Sequence, residues 1–252
     1  MPFSPFAFMA EQAAGPVVPT SGLIGWYDAS DYVSGSGTWP DISGQSNDLV
    51  LTGTYSLDAS TMGGDSILLD PGKGESFGVS DWTSTTDITY IEIIRPDSEG
   101  NFKGSWGLDI GATSLDPGGF QLDGINRIYT WVNTATGYYL NAQTYLTGSN
   151  NFVARRLSSG FDGTTLKVSY GNSDAVSLTH YGSGSFTLGR GGATTYASSS
   201  NCAMNIGRPG DLSEAIYGMT GNYAVGLYYN RILSDAEIEV VYNYYSSSYS
   251  LV

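Results

Sequence analysis

The residues able to do chemistry are few and scattered. The chain of 252 residues carries one histidine, His180, and one cysteine, Cys202. A thiol nucleophile needs a base beside it, and no Cys/His context surrounds either residue. Cys202 therefore reads as a small apolar residue, and a lone cysteine forms no intrachain disulfide. Retaining glycoside hydrolysis needs two carboxylates about 5–5.5 Å apart. Glu92 is followed by Ile93, Ile94, Arg95 and Pro96 before Asp97, and Glu237 and Glu239 fall on different faces of a helical pattern. No pair of acids is set for that chemistry, and the chain is expected not to be an enzyme.

Oxygen donors cluster once. Asp41, Ser43, Asn47 and Asp48 are the hard ligands that calcium prefers. The same run is also turn chemistry, in which Asp and Asn side chains accept from nearby backbone N–H groups. The turn reading is preferred, Asp41, Asn47 and Asp48 are kept as the weaker calcium candidates, and no cofactor is required. Sugar binding would use aromatic platforms beside polar side chains, and Trp82, Trp106, Tyr138 and Tyr139 are the candidates. Trp26, Trp39 and Trp131 are expected in the core.

The elements that must hold these residues are short. Thirty-four glycines, 19 tyrosines and only 13% charged residues point to many strands joined by tight turns. Strands are predicted at 23–27, 66–69, 88–94, 106–110, 119–122, 127–133, 138–145, 152–158, 166–170, 186–189, 204–207 and 223–229. Tyr223, Val225, Leu227 and Tyr229 alternate with Ala224, Gly226 and Tyr228, which suggests a strand covered on both faces. Without βαβ spacing, such strands imply two packed antiparallel sheets in a single domain.

One segment is helical. Ser234 with Glu237 forms the S-x-x-E capping box, and Ile238, Val241, Tyr242 and Tyr245 follow at helical spacing. Residues 1–22 differ from the rest in holding Pro2, Pro5, Pro16 and Pro19 with Phe3, Phe6 and Phe8. They read as an extended arm, with Phe3, Phe6, Phe8 and Met9 as apolar anchors on a partner protein; the alternative is an arm folded back on its own domain.

The net charge of −14 is spread without a basic cluster beyond Arg155-Arg156, which disfavours nucleic acid and an anionic membrane surface. No run of about 18 apolar residues occurs, so no transmembrane helix is expected. MPFSPFAFMAEQAAG lacks a basic n-region and an unbroken apolar core, and is not read as a secretion signal.

Three stretches together resemble the concanavalin A-like jelly rolls, laminin-G-like branch. GLIGWYDASDYVSGSGTWPDISGQSNDLVLTG (22–53) is similar to the opening strand and its W-x-D-x-S-G-x-x-N-D turn. FDGTTLKVSYGN (161–172) is similar to that branch's D-G-x-x-L hairpin with its following Tyr and Asn, here Asp162, Gly163, Leu166, Tyr170 and Asn172, with Gly171 before Asn172 and Ser173 where a glycine is usual. GMTGNYAVGLYYNRILSDAEIEVVYNYY (218–245) is similar to the closing strand and its terminal helix. The resemblance implies an all-β, two-sheet antiparallel jelly-roll sandwich over 23–252 with one short C-terminal helix, behind an extended arm over 1–22. It also implies tests for catalysis, and neither the E-x-D-x-x-E strand of its glucanases nor the Q-x-H strand of its lyases is present. Fold alone does not give function. The resemblance extends to structural proteins of tailed bacteriophages, so the expectation is a non-enzymatic virion protein: a head decoration, head fibre or tail-associated module. It would be made in the host cytoplasm and attached to other assembly proteins through residues 1–22. The alternative is a carbohydrate-binding adhesin recognising cell-surface polysaccharide, and a homo-oligomer is left open.

Overall fold

The computed structural model describes residues 17–51, 55–69, 77–80, 87–97, 103–109, 119–122, 127–132, 138–144, 148–158, 165–170, 174–181, 203–206 and 219–251. Phe3, Phe6, Phe8, Met9, Trp82, Cys202 and the strand expected at 186–189 lie outside these residues.

The described residues form sixteen strands, one 3-10 turn at Ala29–Asp31 and one α-helix. The first half contains β1 (Leu23–Asp28), β2 (Thr38–Trp39), β3 (Leu49–Leu51), β4 (Leu57–Asp58), β5 (Ser66–Leu69), β6 (Phe77–Ser80) and β7 (Asp87–Pro96). The second contains β8 (Lys103–Asp109), β9 (Gly119–Leu122), β10 (Arg127–Val132), β11 (Tyr138–Thr144), β12 (Asn151–Ser158), β13 (Thr165–Tyr170), β14 (Asp174–Tyr181), β15 (Ala203–Ile206) and β16 (Gly221–Tyr229). Helix α1 (Asp235–Ser246) follows β16.

Hydrogen-bonded neighbours run β2-β3-β6-β15-β8-β9-β10-β11-β14-β13-β12-β7-β16-β5-β4, with β1 also on β16. The strand pairs along this path are antiparallel, as in β12 with β7 and β13 with β14. The path closes over on itself. Trp39, on β2 at one end, packs edge-on against Tyr27 of β1 and Tyr223 of β16, with ring centroids 6.1 Å apart in each case. Two layers therefore face each other, which is the all-β sandwich that the strand pattern requires.

The inter-sheet core is aromatic. Trp39, Tyr27, Tyr90, Tyr223 and Tyr228 are fully buried there, and Glu92 is buried with them. The tyrosines meet partly through their hydroxyls, Tyr90 to Tyr223 at 3.2 Å and Tyr223 to Tyr228 at 3.4 Å. A bulge makes this grouping. Tyr223 pairs with Ile94 and Val225 with Ile93, so Ala224 is an extra residue on β16. The unbroken alternation expected for 223–229 is thereby corrected: Tyr223 falls on the side of Tyr228, while Val225, Leu227 and Tyr229 face the helix. Gly226 supplies the space, since a Cβ there would lie 2.9 Å from the Tyr223 hydroxyl and 3.1 Å from that of Tyr228.

The outer face of β7, β12 and β16 is covered by α1. Ile238, Val241 and Tyr245 pack on Ile91, Ile93, Phe152, Val225 and Leu227. The capping box forms as the sequence predicts, with Glu237 N–H donating to Ser234 Oγ and Ser234 N–H donating to Glu237 Oε2 at 2.8 Å. Arg231 adds a two-pronged ion pair to Glu237, Nη2 to Oε1 at 2.6 Å and Nη1 to Oε2 at 3.1 Å. Its Nε donates to the Ser21 carbonyl at 2.7 Å, so one guanidinium ties the start of the helix to the start of β1. Ahead of β1, Val18 is buried in the same helix-side core.

Candidate functional site

The W-x-D-x-S-G-x-x-N-D turn closes the free edge of β1. On one side β1 pairs with β16; on the other its backbone groups meet residues 41–47. The Trp26 N–H donates to Asp41 Oδ1 at 2.9 Å, the Trp26 carbonyl accepts the Ile42 N–H at 2.9 Å, and the Ile24 carbonyl accepts Asn47 Nδ2 at 2.6 Å. Unpaired strand edges invite association with other chains, and this turn removes one. Asp41 also accepts from Ser43 N–H, Ser43 Oγ and Asn47 N–H at 2.8–3.0 Å, and Asp48 Oδ1 accepts the Asp41 N–H at 2.8 Å. The acids named as calcium candidates are engaged in turn hydrogen bonds. Among the described residues, no group of three or more His, Cys, Asp or Glu is placed to hold a metal.

Trp26 departs from its expected core position. Its ring is half-buried between β1 and α1. Its Nε1 donates to the Tyr245 hydroxyl at 2.8 Å, and that hydroxyl donates to Asp28 Oδ2 at 3.0 Å. Burial, and then the Asp28 charge, push the Tyr245 hydroxyl well above its ordinary pKa. Tyr244, 40% exposed, meets Trp26 edge-on at 6.4 Å and widens this aromatic corner.

Glu92 is sealed in the inter-sheet core at 0% exposure, opposite Gly226 on one side and Val153 on the other. Burial first, and then the charge of Glu92, hold the Tyr90, Tyr223 and Tyr228 hydroxyls protonated far above their usual range. This is a polar island in an apolar layer, and it is closed to solvent.

The register places the sequence-predicted sugar candidates on two different faces. Trp106 lies opposite buried Ile206 of β15 and, on its other side, opposite Phe120 of β9. That row continues through Thr130 and Leu140 to His180. Ile206 is 0% exposed, so the row belongs to the inter-sheet face. Tyr138, opposite Val132, is on this face as well. Tyr139 is not. It lies opposite Trp131 of β10 and Tyr181 of β14, in a row of the other face. Trp131 shares that row. The row was hidden in the sequence because Tyr181 and Trp131 are fifty positions apart and meet only through pairing.

No family model matches the chain, and no curated protein sequence matches it either. Solved structures do match. A Trypanosoma rangeli sialidase, in complex with the inhibitor DANA, superposes with a TM-score of 0.59 at 15% identity over 89% of this chain and 33% of that one. Domain 4 of AbnA, a GH43 extracellular arabinanase of Geobacillus stearothermophilus, in complex with arabinotriose, gives 0.57 at 13% identity over 87% of this chain and 98% of that domain. The binding domain of Paraclostridial Mosquitocidal Protein 1 gives 0.58 at 12% identity over 89% and 52%. The chain spans about a third of the sialidases it matches. At these identities the likeness shows the fold, a β sandwich compatible with the concanavalin A-like jelly roll that the three sequence stretches resemble.

The comparisons correct one expectation. The expectation that the chain is not an enzyme is overturned by sialidases and an arabinanase domain among the structural neighbours. The physical reason is that active sites are assembled from residues far apart in sequence. The absence of one short acid motif on one strand does not test such a site.

Proposed function

We propose that this chain is a carbohydrate-binding β sandwich. What carries the reading is the superposition over 98% of an arabinanase domain that was solved with arabinotriose bound. Nearly the whole of that domain corresponds to this chain. The supply of tyrosine and tryptophan in an otherwise charge-poor chain supports it, because aromatic rings combine a large apolar face with a polar tip suited to sugars. A glycan array probed with the full chain tests the proposal. Saturable binding to a defined class of oligosaccharide is expected, and a blank array with correctly folded protein would sink it.

A second part of the proposal concerns attachment. Residues 1–22, rich in proline and phenylalanine, would anchor the sandwich on a larger assembly such as a virion, with Phe3, Phe6, Phe8 and Met9 as apolar plugs. The support is the composition of the arm, together with the fixed point from which it departs: Arg231 holds the Ser21 carbonyl and Asn230 N–H donates to the Gly22 carbonyl at 2.9 Å. Removing residues 1–16 should leave glycan binding intact and abolish incorporation into the assembly. Full incorporation of the truncated chain would refute the attachment role alone.

A further inference from the structure

Among the described residues, the exposed large apolar side chains are Val17, Val33, Ile42, Leu68, Ile232 and Tyr244, and of these only Tyr244 is aromatic. Single aliphatic side chains on a surface are ordinary. Tyr244 is not single. It meets the half-buried Trp26 ring edge-on, with centroids 6.4 Å apart and planes at 76°, so the two rings stand as the floor and the wall of a corner between β1 and α1. Ile42, whose N–H is bonded to the Trp26 carbonyl, borders the corner on the side of the turn.

The corner is fixed from behind. Trp26 packs against the helix-side core, and its Nε1 donates inward to the Tyr245 hydroxyl at 2.8 Å, which donates in turn to Asp28 Oδ2 at 3.0 Å. The indole has one donor, and that donor is spent inside the protein. What Trp26 offers a ligand is therefore an oriented carbon surface. Tyr244 is backed by the Tyr245 ring, edge-on at 4.9 Å. Rings held in place before a ligand arrives lose little freedom when it binds.

Polar groups border this apolar angle on the helix. Asn243 and Ser247 are exposed. Ser247, in helical conformation at the end of α1, follows Asn243 by four residues and Tyr244 by three, so the three side chains share one stretch of helix surface. An amide, a hydroxyl and a phenol each donate and accept, which suits the hydroxyl groups of a sugar. A protein partner would need about 800 Å² on its own side of an interface. Two rings and an isoleucine present far less, while a sugar ring needs only one apolar face to stack on and polar groups at its rim.

We infer that the corner formed by Trp26 and Tyr244 binds an oligosaccharide, with one sugar ring stacked in the angle of the two aromatic rings and its hydroxyl groups bonded by Asn243, Ser247 and the Tyr244 hydroxyl. This rests on the carbohydrate-binding reading above and adds the site.

The test is titration of the full chain with arabinotriose, and with each oligosaccharide that the glycan array returns, followed by heat and by tryptophan fluorescence. Tyr244→Ala should lose ~10-fold or more in affinity with the thermal melt unchanged, as truncation of a central aromatic contact does. Tyr244→Phe keeps the ring and should lose less. Asn243→Ala, exposed on the same turn of helix, should also weaken binding, and it keeps the test decisive if Tyr244→Ala disturbs the fold. Ile232→Ala, an exposed apolar residue ahead of the helix, should bind like the unaltered chain. Full affinity in both Tyr244→Ala and Asn243→Ala would overturn the site and leave carbohydrate binding standing. Loss of a dimer in Tyr244→Ala, with sugar affinity kept, would overturn it in favour of a contact between copies. Failure of the unaltered chain to bind arabinotriose or anything on the array would sink the carbohydrate reading itself, and the inference with it.

Discussion

The Asp41 carboxylate accepts the backbone N–H of Trp26, fifteen residues upstream, at 2.9 Å, and so takes the place of a neighbouring strand along β1. With Asn47 on the Ile24 carbonyl and Ile42 on that of Trp26, three edge groups of β1 are satisfied by a turn of eight residues, 41–48. Hydrogen bonds to a charged acceptor are the stronger kind, and their donors are left unsatisfied when the acceptor is removed. Asp41→Ala should cost about 2–3 kcal/mol in urea unfolding. A loss below about 0.5 kcal/mol, the range of an ordinary surface change, would show that the edge does not depend on Asp41.

The same geometry predicts the response to metal removal. Because Asp41 already accepts four hydrogen bonds and Asp48 accepts the Asp41 N–H, the turn is complete in its own donors. A thermal melt with a chelator should match one with added calcium. A midpoint raised by calcium and lowered by chelation would restore the metal reading of Asp41, Asn47 and Asp48.

The capping box gives a pH window. The Arg231 guanidinium, with the Ser234 N–H and hydroxyl, lowers the Glu237 carboxyl from its ordinary 4.5 to about 2. A depressed folded value means that the stabilisation is present above pH 4.5 and is lost as pH falls through about 2. Glu237→Gln should therefore melt lower than the unaltered chain at neutral pH, with the gap closing between those two values. A gap unchanged across that window would mean that the pair adds nothing through its charge.

The core glycine predicts an asymmetric result. Gly226→Ala would put a Cβ 2.9 Å from the Tyr223 hydroxyl, inside a packed and buried layer. Overpacking of this kind costs about 1–3 kcal/mol. Tyr223→Phe removes the crowded oxygen and should recover part of that loss in the double variant, measured as a coupling energy. Strict additivity would place the strain elsewhere.

Much of this arrangement was legible in the sequence, and the part that was not has a common cause. The helix could be read because its signal is local: Ser234 and Glu237 are three apart and the apolar stripe repeats within one segment. The Asp41 turn could be read as a turn for the same reason, but not as the edge of β1, since its partner Trp26 is fixed only by the fold. Arg231 offers no local sign that it will bind the Ser21 carbonyl 210 residues away. The β16 bulge was invisible because alternation of small and large residues over 223–229 looks regular, and only the pairing of Tyr223 with Ile94 and Val225 with Ile93 reveals the extra residue. Very short strands such as β2 and β4, two residues each, carry too few positions for a period to show. The row of Trp131, Tyr139 and Tyr181 was hidden because the three come from three strands and are brought together only once the register is set. Trp106 and Tyr138, chosen for residue type, belong to the opposite face by that same register.

Direct contact between sugar and aromatic side chain is the most direct test of carbohydrate binding by this sandwich. Saturation-transfer NMR on the full chain, irradiating its aromatic protons in the presence of an oligosaccharide drawn from the glycan array, reads that contact without labels. Transfer to the sugar ring protons is predicted. No transfer from the folded, unaltered chain to any of the oligosaccharides would contradict the account.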